Sequence, residues 1–371
     1  MKKTISKIAL SVFMIACGMA MGVFIGDAIV SLMGENYSFA GYFLWLLIYL
    51  ALLYAAYFVH IIVHECGHLV FGLISGYEFS SFRIGSVIIT KEEGKLRFSR
   101  YALAGTSGQC LLSPPKSADG KIPYKLYNLG GVAFNLILAL LSLILYFAFP
   151  KIPVLSVVFM ESFAVGMFTA ALNGIPMRGL LNNDGQNALS LSKDEHALVS
   201  FANQLSVNGR MAKGERLRDM PEELFELAEG ADASNPINNT IIVFRCNRLM
   251  DEHRFGEARE LCEKLMADES VMPIYKNMLA CDLAFCEMLA GEEEKAKSRF
   301  TDAQNKFMAA MAKNPSIMRT QYAHALICQK DAAKAEKYLA DFEKTAKRYP
   351  YAGDIESERE LIEEAKRAVN L

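Results

Sequence analysis

His64-Glu65-Cys66-Gly67-His68 is the segment of this chain best equipped to do chemistry. On a helix, residues four apart share a face with Cβ atoms roughly 5–6 Å apart, so both imidazoles can reach one ion. Glu65 projects at a neighbouring angle, within reach of a water on that ion. Two nitrogen ligands, an open position and a carboxylate base describe a hydrolytic metal centre, and zinc suits it. Cys66 sits beside the motif with no base of its own and reads as structural, not nucleophilic.

The elements that must position this motif are apolar. Leu44 to Val63, directly upstream, is almost entirely hydrophobic. Four such stretches stand out, about 8–33, 40–74, 129–149 and 154–175, each reaching the roughly 20 residues a helix needs to cross a bilayer. The pattern predicts an α-helical polytopic membrane protein with about four transmembrane helices. The first stretch follows Lys2, Lys3 and Lys7 and continues to Met33, interrupted by Asp27. That is longer than the roughly 7–15 apolar residues of a cleaved signal, so it reads as a signal anchor, although Met14-Ile15-Ala16-Cys17 faintly resembles a lipoprotein cleavage site.

Positive charge sets the expected orientation. The basic N-terminus is placed in the cytoplasm. The loop from Gly34 to Phe39 has no Lys or Arg, the loop 76–127 has eight, and Lys151 stands alone between the third and fourth stretches. Even numbers of passages then put loop 76–127 and everything after Ile175 in the cytoplasm, with the motif toward the cytoplasmic end of its helix.

Composition divides the chain further. Of its 371 residues, 52% are hydrophobic, but residues 1–189 carry a net charge of +4 and residues 190–371 one of −6. The reading is a membrane domain over 1–190 and a soluble domain over 191–371. No large basic field points to nucleic acid as a partner. Eight cysteines without paired spacing, five of them in the second half, fit a reducing compartment better than a disulfide framework.

Within loop 77–113, Phe82 to Thr90 and Lys95 to Leu103 read as two strands around Lys91-Glu92-Glu93-Gly94, a small membrane-proximal β-hairpin. Its exposed edge could accept an unwound peptide as an added strand, or the hairpin could simply rest on the membrane surface. Pro114-Pro115 and Asp119-Gly120 end this region.

A catalytic zinc expects a third protein ligand. His60 stands one turn before His64, but three successive turns cannot converge on one tetrahedral ion, so it reads as a packed residue. Glu161, inside the fourth stretch, is placed toward the outer side and reads as a polar contact between helices. Asp184 follows that stretch on the cytoplasmic side, in Asn182-Asn183-Asp184-Gly185, where a turn can present its carboxylate to the motif.

These features together resemble the site-2 proteases, the intramembrane zinc metalloproteases, in their bacterial form. The resemblance covers about residues 40–190. It rests on the His-Glu-x-x-His motif, Gly130-Gly131 followed by Asn135, Asn173-x-x-Pro176, and Asp184-Gly185. It implies one zinc held by His64, His68 and Asp184, with Glu65 as general base and Asn135 near the substrate. Asn135 reads equally as an interhelical hydrogen bond beside the glycine pair. Two departures touch the third ligand: no proline directly precedes Asp184, and eight positions separate it from Pro176. No inserted PDZ-like domain is visible, so substrates must be selected otherwise.

Residues 191–371 read as all-α with a degenerate repeat. Phe255-Gly256-Glu257-Ala258, Ala290 to Ala296 and Lys330 to Ala335 align, with alanines 38 and 39 residues apart, and helix exits are expected at Asn314-Pro315 and Tyr349-Pro350. This resembles tetratricopeptide-type arrays, which bind peptides or proteins on a concave face. Ser357 to Arg367 reads as a solvated capping helix.

The function expected is hydrolysis of membrane-spanning or membrane-proximal peptides. The resemblance implies anchored regulators or signal-peptide remnants as substrates. The alternative is a catalytically idle scaffold that recruits partners through its repeat domain, and a transporter is disfavoured because no inverted repeat is visible.

Overall fold

The computed structural model describes residues 2–34, 38–92, 94–102, 106–115, 122–150, 152–177 and 182–370. Expectations on Glu93, Leu103, Lys116, Asp119-Gly120, Lys121 and Lys151 lie outside them. The chain divides into two compact units, Met1–Phe71 with Tyr127–Ile175, and Gly72–Leu126 with Pro176–Leu371.

The first unit is built from α1 (Lys2–Met33), α2 (Phe39–Ile74), α3 (Tyr124–Ala148) and α4 (Pro153–Gly174). Among the described residues, α2, α3 and α4 are long and apolar enough to cross a membrane, and α1 contributes the shorter apolar stretch Gly18–Met33. Side chains in α3 are distributed for lipid. Asn128, Gly131, Asn135, Ala139 and Ser142, at helical spacing, are buried, while Leu136, Ile137, Leu140, Ile144 and Phe147 face outward. A helix that turns its small and polar residues inward and its large apolar ones outward suits a hydrocarbon surround. Ile25 and Ile29 of α1, Tyr49 of α2 and Val157 of α4 form an apolar cluster. Pro153 occupies the first turn of α4, where no amide partner is needed, and Pro176 cannot continue the helix beyond Ile175.

The second unit contains a four-stranded antiparallel sheet, not a two-stranded hairpin. Strands β1 (Glu78–Ile84), β2 (Val87–Glu92), β3 (Lys95–Arg100) and β4 (Gly108–Ser113) lie in the order β3-β2-β1-β4. The expected strand Phe82 to Thr90 is broken at Gly85, whose φ of 58° lets the chain reverse and pairs Ile84 with Val87. Gly94, at φ 80°, turns β2 into β3. Arg83 is buried and donates to the carbonyls of Gly85 (2.8 Å) and Gly108 (3.2 Å) and to Thr106, tying both connections to β1.

Helices complete this unit: α5 (Asp184–Lys193), α6 (Glu195–Met211), α7 (Pro236–Asp251), α8 (Phe255–Ala267), α9 (Pro273–Leu289), α10 (Glu293–Ser298), α11 (Asp302–Ala310), α12 (Pro315–Ala323), α13 (Ala332–Ala346) and α14 (Ala352–Asn370). A Cβ on Gly209 of α6 would press on Ser113 and Ser80, so glycine lets α6 lie close to the sheet. Arg100 of β3 donates its amide to the Arg348 carbonyl (2.9 Å), and Tyr101 packs edge-on against Tyr349 and Tyr351, both at 5.7 Å.

One turn recurs three times. His253 (φ 59°), Gly291 (φ 75°) and Lys330 (φ 54°) each stand five residues before Ala258, Ala296 and Ala335. The residue after each turn donates its amide back into the preceding helix, Arg254 to Leu249, Glu292 to Glu287 and Asp331 to Ala325. The third bond spans one residue more because α12 runs into a π-helical turn at His324–Cys328. All three alanines are buried.

Two further expectations need correction. Asn314-Pro315 begins α12 and ends nothing: the Asn314 side chain accepts from the Ser316 amide (3.0 Å) and Pro315 takes the first helical position. The C-terminal helix is not merely solvated, because Ile355, Leu361, Ile362 and Ala365 of α14 enter the main core. Charges go in with them. Arg319 is fully buried, donates to Asp282 (2.5 Å), lies 3.4 Å from Glu358 and covers the Phe285 ring at 4.4 Å. Arg216 bridges Asp251 and Glu360, each at 2.6 Å.

Candidate active site

The motif residues occupy the last turns of α2, and glycine makes room for them. A Cβ on Gly67 would strike the Gly130 backbone, and one on Gly130 would strike that of Gly67, so α2 and α3 meet main chain to main chain. A Cβ on Gly131 would lie 2.5–2.6 Å from the His64 ring. The Gly130-Gly131 pair therefore divides its work, the first residue closing the helices and the second housing an imidazole.

His64, Glu65 and His68 are buried, at 8%, 7% and 8% exposure. The His68 Nδ1–H donates to the Tyr127 carbonyl (2.7 Å), which leaves the lone pair on Nε2. That nitrogen faces His64 Nε2 at 3.1 Å. Two nitrogens bound at 2.0–2.1 Å to one tetrahedral zinc lie about 3.3 Å apart, so the pair is already spaced as ligands. Tyr127 escaped the sequence reading, since a carbonyl partner leaves no trace in side-chain type.

Asp184 is the first residue of helix α5, not part of a free turn. Asn183 caps that helix: its Oδ1 accepts from the Gln186 amide (2.9 Å) and from the Met177 amide (3.0 Å). His64 and His68 offer their imidazole nitrogens in the first unit, and Asp184, half-buried in the second, offers a carboxylate oxygen. Two imidazole nitrogens and a carboxylate oxygen are a donor set that fits zinc.

The remaining candidates separate. Asn135 is fully buried, its amide 3.2 Å from His64 Nδ1 and 3.1 Å from His60 Nδ1. His60 is fully buried as well, one turn from His64 and turned toward Asn135. Glu161 is fully buried on α4, and among the described residues neither of its carboxylate oxygens has a hydrogen-bond partner. Cys66 is half-buried beside the motif.

The profile of Peptidase family M50 matches residues 52–313. Searches of curated proteins and of solved structures find no match. The matched stretch spans α2, the sheet, α3, α4 and the helices through α11, about seven tenths of the chain. The chain belongs to Peptidase family M50, the zinc-dependent intramembrane metalloproteases.

Proposed function

We propose that this protein is a site-2-type zinc endopeptidase that cuts peptide bonds in or near transmembrane segments. The observation that carries this reading is the facing of His64 and His68 Nε2 at 3.1 Å with Glu65 between them in sequence. His64, His68 and Asp184 would hold one zinc per chain, which supplies Lewis acidity toward a carbonyl oxygen and acidity to water. Glu65 takes the proton from water as its oxygen attacks the scissile carbon. It returns that proton to the amine as the C–N bond breaks. Burial of Glu65 keeps bulk water from competing for the carboxylate.

A transmembrane helix must unwind before its carbonyls can react, because its amides are occupied. Strand β3 offers a way to hold the unwound segment. It is an edge strand on which Leu96 and Phe98 are exposed, at 62% and 71%. A substrate added there as a fifth strand would recover its backbone hydrogen bonds. Asn135 would serve at the site, through the substrate or through His64.

The membrane domain (1–190) would cross the bilayer four times, α1 included, with the N-terminus and the C-terminal domain (191–371) in the cytoplasm. The charge distribution supports that orientation. The threefold turn and its buried alanines support a tetratricopeptide-like array that takes a peptide or protein partner. The substrates would be membrane-anchored regulators or signal-peptide remnants, as the resemblance to site-2 proteases implies.

Glu65→Gln tests the reading against an idle scaffold. In detergent-purified protein it should keep its zinc and lose cleavage of a transmembrane reporter by about 10²–10⁴-fold. Cleavage at the wild-type rate would overturn the assigned base, and a scaffold's partner binding would not respond to this change.

A further inference from the structure

A chain of polar side chains runs inward from the ligand His64. Asn135 lies between His64 and His60, His60 Nε2 lies 3.2 Å from Ser162 Oγ, and Ser162 Oγ lies 2.8 Å from Ser142 Oγ. Packing is arranged for it: a Cβ on Gly166 would lie 2.5 Å from the His60 ring. Three helices contribute, α2 with both histidines, α3 with Asn135 and Ser142, and α4 with Ser162 and Gly166.

The direction of these hydrogen bonds matters. As the atoms stand, the Asn135 Nδ2–H donates to His64 Nδ1, and the His64 Nε2–H can donate to His68 Nε2. His60 Nδ1–H donates to Asn135 Oδ1, and the Ser162 hydroxyl donates to His60 Nε2. This arrangement puts a proton on the nitrogen that must bind metal. Ligation through Nε2 needs the His64 proton on Nδ1, donated to an acceptor. Asn135 can accept it only by turning its amide over, which points Nδ2–H at His60. His60 must then accept at Nδ1 and donate from Nε2 to Ser162. An imidazole can do this, because its two nitrogens exchange donor and acceptor roles while it stays neutral.

We propose that His60 is a positioning residue: through Asn135 it sets the tautomer in which His64 binds metal. The inference rests on the reading of His64 as a ligand through Nε2. It gives Asn135 its task within the protein and connects Ser162, on the fourth helix, to the metal centre.

The test is zinc affinity of the full-length, detergent-purified protein, measured by chelator competition. His60→Leu should weaken zinc binding by about 10–100-fold. His60→Gln, whose amide can accept from Asn135 and donate to Ser162, should restore most of the loss. The Co(II)-loaded His60→Leu protein should show a shifted visible absorption band. Wild-type affinity with an unshifted band would overturn the proposal and leave His60 as packing. If His60→Leu does not fold, Ser162→Ala decides: a smaller loss in the same direction supports the relay, and wild-type affinity overturns it. The underlying reading fails separately, if the wild type binds no zinc or His64→Ala keeps it.

Discussion

Among the membrane helices, the connected polar groups are imidazoles, an amide and hydroxyls: His60, His64, Asn135, Ser142 and Ser162. In the C-terminal helices the buried polar groups include ions as well: Arg216 with Asp251, and Arg319 with Asp282 and Glu358. The helices also close differently. Gly67 and Gly130 bring two backbones into contact, whereas Ala258, Ala296 and Ala335 fill space between side chains. The difference follows from the surroundings. Lipid is as apolar as leucine, so helices there gain by close backbone approach and by hydrogen bonds that need no charge. Around the second unit, proposed to stand in water, apolar burial is favourable, and its core can include charges if they arrive paired.

The sharpest way to break this contrast is to leave one buried ion without its partner. Arg319→Met should destabilise the C-terminal helices by about 3–5 kcal/mol, since Asp282 and Glu358 would stay buried unpaired. Chemical denaturation followed by circular dichroism reads this out, and a loss under about 1 kcal/mol would show that water reaches those carboxylates. Gly67→Val tests the other side. Its side chain would meet backbone that cannot step aside, so a cost near the upper end of about 1–3 kcal/mol, with loss of bound zinc, is expected. Ala296→Val should fall lower in that range and leave zinc content unchanged.

Acidity sharpens the comparison further. Burial pushes the Asp354 carboxyl up to about 7, aided by Asp251 and opposed by its hydrogen bond with Tyr349. Burial likewise pushes Glu358 up to about 7, against the pull of Arg319 and with the push of Asp282. Both groups hold protons more readily when folded, so the stability they contribute is full below about pH 4 and lost as pH rises through about 7. Glu360 runs the other way: hydrogen bonds from Arg216 and Arg218 bring it down to about 2. Its contribution is present above its ordinary value of 4.5 and disappears as pH falls toward about 2. The unfolding midpoint should therefore decline between about pH 5 and about pH 7, and Asp354→Asn with Glu358→Gln should flatten that slope. A midpoint that rises over this interval would contradict it. The smallest effect belongs to Glu360→Gln at neutral pH, under about 1 kcal/mol, because Glu360 is partly open to solvent.

Much of the site was legible because its spacing is local. His64 and His68 must share a helix face, and apolar run lengths located α2, α3 and α4 within a few residues. What escaped depends on distant partners. Gly85 sits inside a stretch rich in strand-forming residues, and its left-handed φ shows that two strands meet there. Asp184-Gly185 suggested a turn, yet Asn183 one position earlier converts it into a helix start. Arg319 in a helical stretch resembles any solvated arginine until Asp282 and Glu358 close over it. The glycines of α3 announced a motif without disclosing that one serves a backbone and the other a ring.

The bond from the Arg100 amide to the Arg348 carbonyl also has a meaning in time. The sheet follows α2 in the chain, but the partner of its edge strand lies almost 250 residues later. At roughly 5–20 residues per second of synthesis, β3 waits some tens of seconds with that end unmatched, while α3 and α4 have already emerged. Whatever the sheet does for substrates, it acquires its final mooring only when the last helices are made. Translation thus separates the making of the metal motif from the completion of the sheet.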